Sequence, residues 1–238
     1  RAIGGHCGNP RDVPVWGEKR ERTNDMTTLA VSHLSVSYDT TPALHDVSLV
    51  VPSGSVVAVL GPSGCGKTTL LLALAGLVSI DEGSIGVGSK TLSTPDHLVV
   101  PEQRGIGWVP QEPSLFPHLT VADNIGFGMN KGRRRSERIE QLAELVGLSD
   151  LLERSPGALS GGQAQRVALA RALAPSPDAI LLDEPFAALD TVLRHQLARE
   201  VVNLLRQTDT TTVLVTHDRE EALDLADWVV VMDRGRVA

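Results

Sequence analysis

Residues 56–60, Val-Val-Ala-Val-Leu, run without a polar interruption into Gly61-Pro62-Ser63-Gly64-Cys65-Gly66-Lys67-Thr68, and a helical apolar pattern follows at 68–77. An apolar run with no alternation fits a strand buried on both faces of a parallel sheet. The loop after it reads G-x-x-x-x-G-K-T. Its glycines leave backbone N–H groups free to converge on a phosphate, with no side chain in the way. Strand, glycine loop and helix in that order leave few folds open. They predict an α/β chain with a parallel sheet, whose ligands sit at the carboxyl ends of the strands.

The rest of the chain fits this frame. Two more unalternating runs lie at 179–182 and 213–215. Helical patterns lie at 163–174, stopped by Pro175 and Pro177, and at 191–207, with Leu193, Leu197, Val201 and Leu204 on one face. The expectation is a P-loop NTPase core with a mainly parallel sheet. Residues 29–51 and 85–98 read as short strands separated by turn residues, which predicts a small antiparallel β subdomain. Residues 124–152 are helical and polar, with Ile139, Leu142, Leu145 and Val146 at helical spacing. They predict an inserted helical subdomain over about residues 112–165. The apolar run at 70–80 reads as a buried helix. Residues 228–232 read as a strand and 233–236 as a hairpin turn, with 237–238 opening a return strand.

Composition sets limits on the partners. Of 238 residues, 42% are hydrophobic and 21% charged, so one large core is within reach. A net charge of −7 argues against nucleic acid as a partner. No apolar run approaches the roughly 18 residues of a membrane span. The two cysteines, Cys7 and Cys65, are too few for a disulfide framework and fit a reducing compartment. Residues 1–25 are rich in Gly, Arg and Pro without a period. Met26 is expected to be the natural start, residues 1–28 a tail outside the fold, and 29–238 the folded domain. The interrupted return strand leads us to expect that the natural protein continues past Ala238.

Several residues carry chemistry. Lys67 can reach β- and γ-phosphate oxygens, the Thr68 hydroxyl can ligate Mg²⁺, and Thr69 can meet the α-phosphate. Cys65 reads as a small residue tolerated in the loop. The run at 179–182 ends in Asp183, placed for a metal, and Glu184, placed as a general base beside the γ-phosphate. His217 and Gln111 each follow a strand-like segment, where an imidazole or an amide would lie close to the same phosphate or its metal. Tyr38, the only tyrosine, has a face that can stack on a base. Ser160-Gly161-Gly162-Gln163 opens a helical pattern with a hydroxyl and bare N–H groups, which is a second anion-binding surface in one chain.

Taken together and in this order, these segments resemble the nucleotide-binding ATPase of ATP-binding cassette transporters, from about residue 29 to residue 238. The resemblance matches Tyr38 to the adenine-stacking position and 61–69 to the phosphate loop. It matches Gln111 to the Q-loop glutamine and 159–163 to the signature. Asp183 and Glu184 match the metal-binding and catalytic acids, Ala188-Leu189-Asp190 the D-loop, and His217 the switch histidine. It implies ATP and Mg²⁺ as cofactors and a second ATPase subunit packed head to tail, in a homodimer. In that arrangement Ser160, Gly161, Gly162 and Gln163 cover the γ-phosphate held by the other subunit, and Asp190 communicates between the two sites. It also implies integral membrane permease subunits, a solute-binding protein, and a peripheral place on the cytoplasmic face of the membrane.

The stretch 101–111, continuing through 115–121, is similar to importers of minerals and small organic ions, whose cargoes include ferric iron, polyamines, sulfate, molybdate and thiamine. That type tends to carry a β-rich regulatory domain after the ATPase domain. Phe116 and Leu119 either dock a permease helix or pack the helical subdomain. The basic run Lys131-Gly132-Arg133-Arg134-Arg135 reads as a solvated loop rather than a lipid contact. An exporter ATPase and a non-transport ATPase of the same superfamily are the alternatives. The second would interrupt the core with coiled coils or zinc motifs, and the sequence has neither.

Overall fold

The computed structural model describes residues 27–130 and 132–238, and of Arg133, Thr191 and Val192 only the backbone. Met26, Cys7, Lys131 and most of the expected tail lie outside the described residues. Thr27 and Thr28, expected in that tail, belong to the fold. Thr211 Oγ1 donates to Thr27 O at 2.9 Å, and Gly88 N donates to Thr28 O at 2.8 Å.

Two sheets organise the chain. The first holds β1 (Leu29–Tyr38), β2 (Thr41–Val51), β4 (Glu82–Val87), β5 (Lys90–Thr94) and β6 (His97–Leu98) in the order β2-β1-β4-β5-β6, all antiparallel. The second runs β11-β10-β3-β9-β8-β7. Its members are β3 (Val56–Leu60), β7 (Ile106–Val109), β8 (Ala179–Asp183), β9 (Thr211–Thr216), β10 (Trp228–Asp233) and β11 (Arg236–Val237). Strands β10, β3, β9, β8 and β7 are parallel, and β11 returns along β10 as a hairpin. Both expected sheets are therefore present.

The lack of alternation in the central strands has its cause in two cores. Val57, Val59, Leu181, Val213 and Val215 pack with α1 (Lys67–Ala75) against Leu29, Val31 and Ile85 of the antiparallel sheet. Val56, Ile180, Leu182 and Leu214 face the other way. They pack on α4 (Gly161–Leu173) and α5 (Thr191–Gln207), through residues such as Val167, Leu197 and Val201. A strand that feeds two cores has no solvent face to make polar.

Three helical expectations are corrected. The run at 70–80 is not one helix. Gly76, with φ +80°, closes α1 in the left-handed conformation, and Leu77 N bonds back to Leu72 O at 2.9 Å. Residues 124–152 are not continuous either. They hold the end of α2 (Val121–Ile125), a turn through Gly126 and Gly128, then α3 (Arg133–Leu145) and 3₁₀ turns. Residues 133–135 of the basic run belong to α3 rather than a loop, with Gly132 just before it. Arg135 donates to Gly126 O at 3.2 Å and pairs with Asp123 at 3.3 Å, which pins α3 to α2. The final helix, α6 (Arg219–Leu225), leads into β10.

Candidate functional site

The phosphate loop is shaped by crowding on one side and openness on the other. At Gly61 a Cβ would stand 2.3 Å from Met232 O and 2.5 Å from Cys65 Sγ, so no larger residue fits. Gly64 (φ +79°) and Gly66 (φ +103°) adopt a backbone that L side chains avoid, and a Cβ at Gly64 would meet nothing within 4 Å. The loop therefore turns bare N–H groups toward an open cavity of about 400 Å³. Lys67, 7% exposed, lays its ammonium over the loop and donates to Gly61 O at 2.8 Å and Pro62 O at 2.9 Å. Thr68 and Thr69 line the cavity from the first turn of α1. Cys65 is buried, as a small loop residue should be.

Strand β8 delivers Asp183 beneath that loop. Thr68 Oγ1, at the start of α1, donates to Asp183 Oδ2 at 3.1 Å. Asp183 is only 3% exposed, and burial pushes its carboxyl above the ordinary value. The Thr68 bond opposes that rise, the Glu184 charge adds to it, and the Lys67 charge opposes it. An exposed hydroxyl beside a buried carboxylate suits a hard cation that takes its remaining ligands from phosphates and water. Among the described residues, no group of three His, Cys, Asp or Glu would hold a metal alone. The donor set thus fits Mg²⁺ shared with a nucleotide.

Glu184, Gln111 and His217 meet at the ends of β8, β7 and β9. Gln111 Nε2 lies 3.4 Å and His217 Nδ1 3.1 Å from Glu184 Oε2. Glu184 has φ +46°, and its amide donates to Val215 O at 2.9 Å. The sharp turn after β8 therefore aims the carboxylate along the sheet end rather than into the core.

The remaining expected residues are placed apart. Ser160 caps α4. Its Oγ accepts from Gln163 N at 3.3 Å, while Gln163 Oε1 accepts from Ser160 N at 2.8 Å. This reciprocal cap occupies Gln163 and leaves the Gly161 and Gly162 N–H groups at the helix start. Among the described residues, no hydrogen bond joins 160–163 to the phosphate loop of the same chain. Asp190 caps α5 by accepting from Leu193 N at 3.1 Å. Tyr38, 45% exposed, ends β1 opposite Thr41, next to the cavity-lining Pro42. Phe116 lies 4.2 Å from Phe127, ring centre to ring centre, with the Arg171 guanidinium 5.3 Å over it. Phe127 is 57% exposed.

Sequence reasoning missed several contributors. The cavity's far wall is the turn Arg234-Gly235 between β10 and β11, together with His45 of β2. Gly235 N donates to Cys65 O at 3.0 Å, and His45 N donates to Gly235 O at 2.8 Å. Asn124, wholly buried, shapes the 116–120 loop by accepting from Phe116 N and donating to Phe116 O and Thr120 O. Arg104, 4% exposed, donates to carbonyls at the end of α1 and to Ser93 Oγ, joining α1 to the antiparallel sheet. A readable signal existed for the Gly235 turn, since a two-residue hairpin turn favours glycine where φ is positive.

Residues 44–187, from β2 through the loop after β8, match the family described as ABC transporter. The chain belongs to the ABC transporter family. It is 50% identical over 214 residues to the Fe(3+) ions import ATP-binding protein FbpC of Pseudomonas fluorescens, covering 89% of this chain and 60% of that protein. It is 44% identical over 213 residues to FbpC 2 of Haemophilus influenzae, covering 88% and 60%. The chain thus spans about 60% of the length of these curated relatives. Two solved forms of the MJ0796 ABC cassette superpose with TM-score 0.80 at 30% identity, covering 88% of this chain and 96% of theirs. One is a dimer in a post-hydrolysis state bound to ADP and Pi. No helix among the described residues is long and apolar enough to cross a membrane.

Proposed function

We propose that this chain is the ATP-hydrolysing subunit of an importer, working as a head-to-tail homodimer on permease subunits at the cytoplasmic face of the membrane. The names of the relatives point to ferric ion as the cargo, and a solute-binding protein would deliver it. They favour import over the exporter alternative. The observation that carries the reading is the split of the site. Lys67, Thr68, Asp183, Gln111, Glu184 and His217 gather at one set of strand ends, while the Ser160–Gly162 surface stands apart, with no hydrogen bond to its own phosphate loop among the described residues.

The residues divide the work. Loop N–H groups and Lys67 hold the β- and γ-phosphates of ATP. Thr68 and Asp183, with Gln111 beside them, offer oxygens to Mg²⁺, which when bound neutralises phosphate charge. Glu184 takes the proton of the attacking water, and His217 steadies both that carboxylate and the γ-phosphate. Tyr38 stacks on the base. The hydroxyl and N–H groups at 160–162 close over the γ-phosphate of the second subunit, and Asp190 lies between the two sites.

Mixed dimers test this. Ser160→Arg should abolish turnover although it lies outside its own chain's phosphate loop, and Lys67→Ala should abolish it separately. Mixed one to one, half the dimers carry one intact composite site of two, so phosphate release should recover to about a quarter of wild type if sites act independently. No recovery on mixing, or full activity of Ser160→Arg alone, would refute the composite site.

A further inference from the structure

Residues 186–190 join the two surfaces that the proposed cycle needs to act together. On one side they pack on the start of α4, where a Cβ at Gly162 would lie 3.2 Å from Ala188 O and 3.0 Å from Leu189 Cδ2. On the other they continue from Glu184, and Ala187 N donates to Glu184 O at 3.2 Å. What holds them is Arg194, in the first turn of α5. Its Nη2 donates to Ala187 O at 3.2 Å and Leu189 O at 3.0 Å.

The arginine has no carboxylate within ion-pair distance among the described residues, and its Nε is buried without a hydrogen-bond partner. Burying that donor is unfavourable, and an apolar side chain would avoid it, so packing alone does not explain the residue. The turn that carries His217 is held separately, by the half-buried Glu221 of α6. Glu221 accepts from Thr216 Oγ1. That hydroxyl oxygen also accepts from Asp218 N at 3.1 Å, so it fixes both ends of the turn that carries His217. His217 Nδ1 in turn faces Glu184.

We propose that Arg194 is a positioning residue. It holds the segment packed on Gly162 against the turn that carries Glu184, so that contact of Ser160–Gly162 with a second subunit's nucleotide sets the placement of Glu184. This rests on the ATPase reading above. The phosphate loop is untouched by Arg194, so losing it should cost turnover and spare nucleotide binding. One Nη2 bonding two carbonyls is also a job that a lysine ammonium can do in part.

The test compares wild type, Arg194→Met and Arg194→Lys. Arg194→Met should lower kcat at least about tenfold while KM and the affinity for a fluorescent ATP analogue stay within about twofold, and Arg194→Lys should regain part of kcat. Amide hydrogen exchange gives a readout that needs no hydrolysis. In Arg194→Met, exchange should quicken at Ala187 and Leu189, while Asp218, Glu221 and the amides of α1 keep their protection. Exchange at Ala187 and Leu189 equal to wild type overturns the proposal. So does a kcat equal to wild type, or a parallel fall of kcat, nucleotide affinity and melting temperature. Wild type that binds nucleotide without hydrolysing it refutes the ATPase reading instead, and the exchange pattern still decides the link.

Discussion

Glu184→Gln removes one negative charge from the site and leaves nearly every contact in place. Glutamine has the same length, and its Oε1 can accept from Gln111 Nε2 and His217 Nδ1, the groups now 3.4 and 3.1 Å away. The backbone at φ +46° is equally unfavourable for either residue. Two charge-assisted contacts become neutral ones at a partly exposed position, so stability should change by no more than about 1 kcal/mol. The chemistry is affected far more, because an amide takes no proton from water. General-base catalysis contributes about 10²–10⁴-fold, or roughly 3–5 kcal/mol of barrier. The loop, Lys67 and Thr68 are untouched, so ATP should bind as in wild type and hold the variant as a dimer. Phosphate release under saturating Mg-ATP measures turnover, nucleotide titration measures affinity, and light scattering measures the dimer. Turnover within about threefold of wild type would refute the base role. Loss of ATP affinity along with turnover would mean that the carboxylate serves binding and not proton transfer.

Two further predictions follow from the surroundings of the site. Gly235→Ala places a Cβ 2.7 Å from Ala43 O and 2.8 Å from His45 Cδ2 at φ +76°. It should lower stability by at least about 1–2 kcal/mol and weaken nucleotide binding, and an unchanged urea midpoint would show that the turn is not a fixed wall. Glu221 gives a pH dependence. Burial raises its carboxyl above the ordinary 4.5, the Thr216 bond lowers it, Asp218 raises it, and the Arg194 and His217 charges lower it. Its contribution to stability is thus complete below about 4.5 and is lost as pH climbs through the higher native value. The melting temperature of Glu221→Gln relative to wild type should rise between pH 4.5 and 7, and a flat or falling difference would contradict the burial.

Much of the site was legible because its parts are local in sequence. The loop at 61–68 and the acids at 183 and 184 sit at the end of apolar runs, and a run without alternation gives the strand and its end together. Helix boundaries were legible where a named cap existed, and less so where glycine did two jobs. Ser160-Gly161-Gly162-Gln163 is a capping box in plain sequence, so α4 starts at Gly161 rather than at 163. Gly126, Gly128 and Gly132 punctuate residues 124–152, so the expected helical segment is divided between the end of α2, α3 and 3₁₀ turns. Arg104 and Arg194 were not legible at all, and of Gly235 only the turn was, not its place against the phosphate loop. Each acts through carbonyls supplied by distant segments, and no spacing within a sequence encodes which carbonyl will stand beside a given arginine or amide.

The hydrogen bond from Gly235 N to Cys65 O bears on the order in which the protein is made. A phosphate loop in its bare form is a strand, a turn and a helix, all translated early. Here the turn is clasped by residues that leave the ribosome near the end of the described chain, once β10 has found its place beside β3. A nascent chain halted after β9 would hold the whole loop sequence and most of the central sheet without that clasp. Nucleotide capture is therefore expected to lag behind the folding of the core, and to arrive with the last hairpin.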